Sequence, residues 1–137
     1  MRFIILVKAT PGSEAETTPV ADDALLEAMT RYHEQLARAG ALLDAGGLQP
    51  SRSGWRIRYA GGRRTEVIDG PFAETKELVA GYTVIEVKSR EEALEWARRF
   101  PAPMGAAEDC EIEVRQLCEL DELGAGDTTE RLRRIGL

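Results

Sequence analysis

Histidine is almost missing from this chain: His33 is the one imidazole in 137 residues. Cysteine occurs twice, at 110 and 118, and never as C-x-x-C. A structural zinc site needs four imidazole or thiolate ligands, so the sequence gives it little to work with. The stretch between the two cysteines reads as one strand. Residues eight apart on a straight strand cannot bring their Cα atoms within the roughly 7 Å that a disulfide needs. Two free thiols of a reducing compartment are therefore expected. Neither G-x-G-x-x-G nor a phosphate-binding P-loop occurs, so no nucleotide, flavin or metal cofactor is expected.

Long hydrophobic runs are also lacking. The apolar stretch Phe3-Ile4-Ile5-Leu6-Val7 is too short for a signal peptide's core and is followed by no small-residue cleavage site. Nothing approaches the roughly 20 apolar residues that span a bilayer. A cytoplasmic protein with no membrane association is expected. Positive charge is in deficit: 18 Lys and Arg against 24 Asp and Glu leave a net charge of -6. An acidic surface repels phosphate backbones, which argues against nucleic acid as a partner, and the short basic run Arg131 to Arg134 does not change that.

What is present is ordinary globular material, 43% hydrophobic and 31% charged, of a length that suits one domain. Phe3 to Val7 reads as a strand buried on both faces. A polar loop over 10–17 leads to a helix start at Thr18-Pro19, with Thr as N-cap and Pro at the first helical position. Leu25, Met29, Tyr32 and Leu36 recur at helical spacing, and Gly40 closes that helix. A strand follows over 41–45. Residues 55–59 and 64–68 alternate apolar and polar side chains about Gly61-Gly62, the signature of a β-hairpin. Asp69-Gly70-Pro71-Phe72 reads as a tight turn. A strand over 81–87 comes next, with Thr83, Ile85 and Val87 on one face and Tyr82, Val84 and Glu86 on the other. Ser89-x-x-Glu92 opens a second helix as a capping box, stopped by Pro101 and Pro103. A last strand runs from 111 to about 120, and 124–137 forms a C-terminal tail after the domain at 1–123.

The order is β-α-β, a β-hairpin, then β-α-β. This is a ferredoxin-like α+β arrangement with an antiparallel sheet and an inserted hairpin. Two helices on one face leave the other face bare, and a second copy of the same sheet is its simplest cover. A homodimer is expected.

The run Asp69-Gly70-Pro71-Phe72-Ala73-Glu74-Thr75-Lys76-Glu77, followed by Gly81-Tyr82, resembles the signature of the YCII-related, DGPF-domain family. Met1-Arg2-Phe3, Gly40-Ala41-Leu42-Leu43, Gly47-Leu48-Gln49-Pro50-Ser51 and Glu91-Glu92-Ala93-Leu94-Glu95-Trp96 support the likeness, which covers about 1–123. It implies a dimeric α+β barrel. Its wider superfamily includes monooxygenases, muconolactone isomerases and dehydrochlorinases that act on small, often anionic or aromatic molecules without a cofactor. DGPF members are often linked with extracytoplasmic-function sigma factors. Related YCII enzymes pair a His of the first helix with an Asp as a proposed dyad. Members often carry His where this chain has Gln49, and Asn where it has His33.

The candidate catalytic residues are thus His33 and Asp69. His33 lies at the border of an apolar helical stripe, where an imidazole serves as a base near neutral pH or bonds a surface neighbour. Asp69 would hold that imidazole, or cap the Gly70-Pro71 turn. Gly70, Pro71, Phe72, Lys76 and Tyr82 are candidate substrate-binding residues, weighed against turn, core and solvated-surface roles. Arg56, Arg58, Arg63 and Arg64 decorate the hairpin, where charge protects a sheet edge or clamps a carboxylate. Three functions follow: a cofactor-free enzyme moving protons on a small anionic or polar molecule, as a lyase, isomerase or dehydrohalogenase; a non-catalytic ligand- or partner-binding module tied to sigma-factor regulation; and a cofactor-free oxygenase.

Overall fold

Phe3 and Ile5 alternate with Ile4 and Leu6 along β1, Arg2–Lys8, so β1 buries one set of side chains under helices and turns the other set away. The computed structural model describes residues 1–16 and 22–137. After β1 come a one-turn α1, Pro11–Ala15, then α2, Asp23–Arg38, and β2, Leu42–Gly47. The hairpin is β3, Trp55–Ala60, and β4, Arg63–Asp69. The chain then returns as β5, Val79–Glu86, α3, Arg90–Arg98, β6, Ile112–Gln116, and α4, Asp127–Arg134.

Four strands form one sheet in the order β2-β5-β1-β6, every neighbour antiparallel. Without the hairpin this is the ferredoxin-like order. Ile5 faces Thr83 on one side and Val114 on the other, so the central row is apolar except for the Thr83 hydroxyl. The core joins Phe3, Ile5, Ile85 and Val87 of the sheet side to Tyr32 and Leu36 of α2 and Ala93 and Trp96 of α3. Each fully buried large apolar side chain contributes about 1.5–3 kcal/mol relative to exposure. Ile4, Leu6 and Val84, on the opposite face, are half-buried.

The helix ends follow local chemistry. Asp22 caps α2 by accepting from the Leu25 amide at 2.7 Å. The expected cap at Thr18-Pro19 lies outside the described residues. At the other end the Gly40 amide donates to Ala37 and the Ala41 amide to Leu36, a Schellman closure that needs the left-handed φ of 70° at Gly40. Ser89 caps α3 through the Glu92 amide, while the Glu92 carboxylate reaches the Lys88 amide instead of that of Ser89.

Three expectations change. The polar stretch after β1 is not all loop, because Thr10 and Ser13 bond each other's amides and Pro11 sits at N1, which closes one helical turn. The last strand stops at Gln116, so Cys110 and Cys118 lie beyond its two ends; both are free thiols. The strand expected over 41–45 runs on through Gly46 and Gly47, which pair with Tyr82 and Gly81. The tail holds a defined helix, α4, whose Thr129 hydroxyl donates to the Gly124 carbonyl.

Candidate functional site

The apolar stripe of α2 divides along its length. Tyr32 and Leu36 enter the core, whereas Leu25, Leu26, Met29 and His33 line a cleft of about 650 Å³ between α2 and the sheet. Three glycines of the sheet line it there. Gly46 and Gly47 end β2, and Gly81 lies so close to the Gly46 carbonyl that a Cβ would sit 3.1 Å from it. Phe100 and Met104, beyond α3, close one wall, and Glu14 and Glu16 of the α1 turn stand on another.

His33 is fixed at both nitrogens. Nδ1 is 2.7 Å from the Met29 carbonyl and Nε2 is 2.9 Å from the Thr83 hydroxyl. A carbonyl only accepts, so Nδ1 carries the proton. In the neutral ring Nε2 is then the acceptor and the Thr83 hydroxyl donates to it. Thr83 is 1% exposed and stands on the helix-facing side of β5 beside Ile85. A hydroxyl hydrogen-bonded to an oriented imidazole at the edge of a cleft is a proton-relay geometry.

Asp69 does not join this pair by a direct hydrogen bond. Both ring nitrogens are already engaged, and Asp69 is exposed at the end of β4, cross-strand from Trp55 and outside the cleft lining. The orienting group that the dyad assigned to a carboxylate is the Met29 backbone carbonyl, one helical turn before His33.

The other turn residues hold the base of the hairpin. A Cβ on Gly70 would lie 1.8 Å from the Ser51 carbonyl oxygen, so only glycine fits. The Gly70 amide donates to the Gly54 carbonyl at 3.0 Å, and the Gly70-Pro71 peptide is cis. The Phe72 amide donates to the Ser51 hydroxyl oxygen at 3.0 Å, and the Arg56 guanidinium lies 3.8 Å over the Phe72 ring. Ser51 in turn gives both its amide, at 2.9 Å, and its hydroxyl to the Glu14 carboxylate. Glu14 thereby links the cleft wall, through Ser51, to the DGPF turn. Lys76 is exposed on a 3-10 turn, Thr75–Glu77, outside the cleft lining.

Tyr82 does reach the cleft. Its ring lies over Gly46, and its hydroxyl donates to Asp44 at 2.9 Å. That hydrogen bond, with the Asp44 charge, raises the Tyr82 pKa and keeps the phenol protonated. Of the seven expected site residues, then, His33 and Tyr82 line the cleft, and Asp69, Gly70, Pro71, Phe72 and Lys76 do not. Thr83, Met29 and Glu14 were missed. A lone hydroxyl on the core face of a strand otherwise carrying Ile85 and Val87 was the one available signal for Thr83.

No Lys or Arg lines the cleft among the described residues, and 17–21 contain none in the sequence. Glu16 is paired with Arg52 at 2.6 Å, and the same guanidinium donates to the Glu14 backbone carbonyl at 3.3 Å, while the described bonds of the Glu14 carboxylate itself come from Ser51. Among the described residues no cluster of His, Cys, Asp and Glu is arranged to hold a metal, and no helix is long and apolar enough to cross a membrane.

The fold and cleft define a ferredoxin-like α+β domain with a helix-borne histidine. The YCII-related domain matches residues 1–117, and the chain belongs to that family. An uncharacterized protein of Rhizobium meliloti (strain 1021) is 35% identical over 77 residues, 56% of this chain; the match spans 61% of that relative's length. The structure of 5-chloro-2-hydroxyhydroquinone dehydrochlorinase (TftG) from Burkholderia phenoliruptrix AC1100, in complex with 2,5-dihydroxybenzoquinone, overlays with a TM-score of 0.46 at 17% identity. The overlay covers 86% of this chain and 94% of that one.

Proposed function

We propose that this protein is a homodimeric enzyme that moves protons on a small, uncharged, largely apolar molecule, without a cofactor. The relay from the cleft through Thr83 to His33 carries this reading. His33 Nε2 is the base. A substrate C–H or O–H positioned by the apolar walls gives up its proton to Nε2, either directly after Thr83 rotates away or through the Thr83 hydroxyl. The Met29 carbonyl holds the ring and stabilises the imidazolium that results, which then returns the proton to the leaving group or to a neighbouring carbon. Lyase, isomerase and dehydrohalogenase outcomes share this step. An uncharged substrate suits the cleft better than an anionic one, because Glu14 and Glu16 both stand on its wall and the Arg52 guanidinium beside them is already engaged by Glu16 and the Glu14 carbonyl.

The test uses a panel of uncharged ring compounds bearing a hydroxyl or carbonyl group. A cognate compound shifts the His33 ring resonances and exchanges an acidic C–H with solvent deuterium. His33→Gln should abolish that exchange, Thr83→Val should slow it by roughly 10²-fold, and Asp69→Asn should leave it near wild type. Full exchange in a folded His33→Gln variant would sink the reading.

A further inference from the structure

The hairpin is a separate two-stranded sheet. Such a ribbon is marginal in water unless something covers its apolar face. In this chain that face is uncovered: Trp55 is 64% exposed, Tyr59 61%, Val67 63% and Ile57 39%. Trp55, Ile57 and Tyr59 alternate on one side of β3, and Val67 stands directly across from Ile57. We propose that this arm lies over the mouth of the cleft in a second copy of the chain, so that each site is completed in trans.

Two observations select that occupant. The first is charge. Between 55 and 69 four arginines stand against Glu66 and Asp69, a net +2, so the remainder of a -6 chain carries -8. A basic arm is drawn to the acidic body of another copy, and at the cleft the exposed Leu26 follows Asp22 and Asp23, the acids that open α2 one turn earlier. The second is area. The four exposed side chains offer roughly 400 Å² per arm. Counting both arms and the surfaces they cover, a two-fold exchange buries about 1,600 Å², the size of a stable interface. The base of the arm is already fixed at the cleft rim by the bonds from Glu14 to Ser51 and from Ser51 to Phe72. Arm and cleft are thus built as one unit in each copy.

This inference rests on the homodimer reading, and its test separates the two. Cys110 and Cys118 are replaced by serine, and one chain carries Tyr59→Cys while another carries Leu26→Cys. On mixing and mild oxidation, a covalent pair of the two different chains is expected. A chain carrying both cysteines that instead closes on itself as a monomer would show the arm covering its own cleft and overturn the proposal. In parallel, Trp55→Ser/Tyr59→Ser should raise the dimer dissociation constant by roughly tenfold or more, with the fold monitored by circular dichroism. An unchanged dimer that gives no mixed disulfide removes the arm exchange while leaving the dimer. Sedimentation of the wild type as a monomer at micromolar concentration removes both.

Discussion

Tyr32 and His33 are neighbours on α2 with opposite surroundings. His33 keeps one edge in the cleft, whereas Tyr32 is buried among Trp96, Phe100 and Leu36 and donates its hydroxyl to the Trp96 carbonyl at 2.8 Å. Burial pushes the Tyr32 phenol up to about 12 from 10.0, with the nearby Arg99 charge opposing. A phenol whose folded pKa exceeds its unfolded one stays protonated in the fold while the unfolded chain ionises. Between pH 10 and 12 the unfolded state therefore binds fewer protons, and stability falls as pH rises. The contribution is complete below about pH 10. With a discount for solvent screening, about 1–2 kcal/mol should be lost by pH 12. Urea midpoints measured from pH 9 to 11 should decline, and Tyr32→Phe should flatten that slope. A slope that persists in Tyr32→Phe would assign the pH dependence to another group.

At the scale of elements, the base of the arm is the most exacting place in the chain. A methyl group at Gly70 meets the Ser51 carbonyl at a distance no atoms tolerate, so Gly70→Ala must displace the DGPF turn from the 3-10 turn at Ser51–Ser53. A loss of about 2–4 kcal/mol is expected, with large backbone shifts on both sides of the contact. Ser51→Ala leaves the packing but removes two side-chain hydrogen bonds, and should cost about 1–3 kcal/mol. Chemical denaturation of the two variants checks the order; equal stability of Gly70→Ala and wild type would contradict the close approach. The hairpin itself was readable from the residues alone, because Gly61-Gly62 permits the positive φ of a tight two-residue loop and the flanking segments alternate. The turn at 69–72 was also readable as a turn. Its partner was not, since Ser51 lies about twenty residues earlier and no local pattern marks that contact. The same limit applies to the site. His33 could be placed at the edge of a helical stripe by spacing, but its partner Thr83 is fifty residues away. The turn at Asp69 is conspicuous in the sequence, and a conspicuous turn says nothing about distance to a helix.

For the whole molecule, charge and shape decide together what reaches the cleft. The chain carries -6, four of its fifteen arginines stand on the arm, and the described lining of the cleft holds Glu14 and Glu16 but no Lys or Arg. Strand order and the two-helix layer follow from periodicity, so the architecture was legible. The sign of the potential inside the cleft was not, because it depends on which of 42 charged side chains the fold directs there. A ligand carboxylate about 8 Å from the Glu14 carboxylate is repelled by about 2 kcal/mol at an effective dielectric near 20, before screening. A matched pair of probes reads this directly. Benzamide and benzoate have nearly the same shape and differ in charge. At about 10 mM salt, where the Debye length is about 30 Å, benzamide should bind roughly tenfold more tightly. At 1 M salt the gap should shrink to about twofold, because the Debye length is then about 3 Å. Glu14→Gln should close most of it at low salt while keeping an acceptor for Ser51. Ligand-observed NMR titrations of the wild type at both salt concentrations and of the variant at low salt measure all six affinities. Benzoate binding as well as benzamide at low salt would contradict Glu14 as the charge that sets the sign of the potential in the cleft.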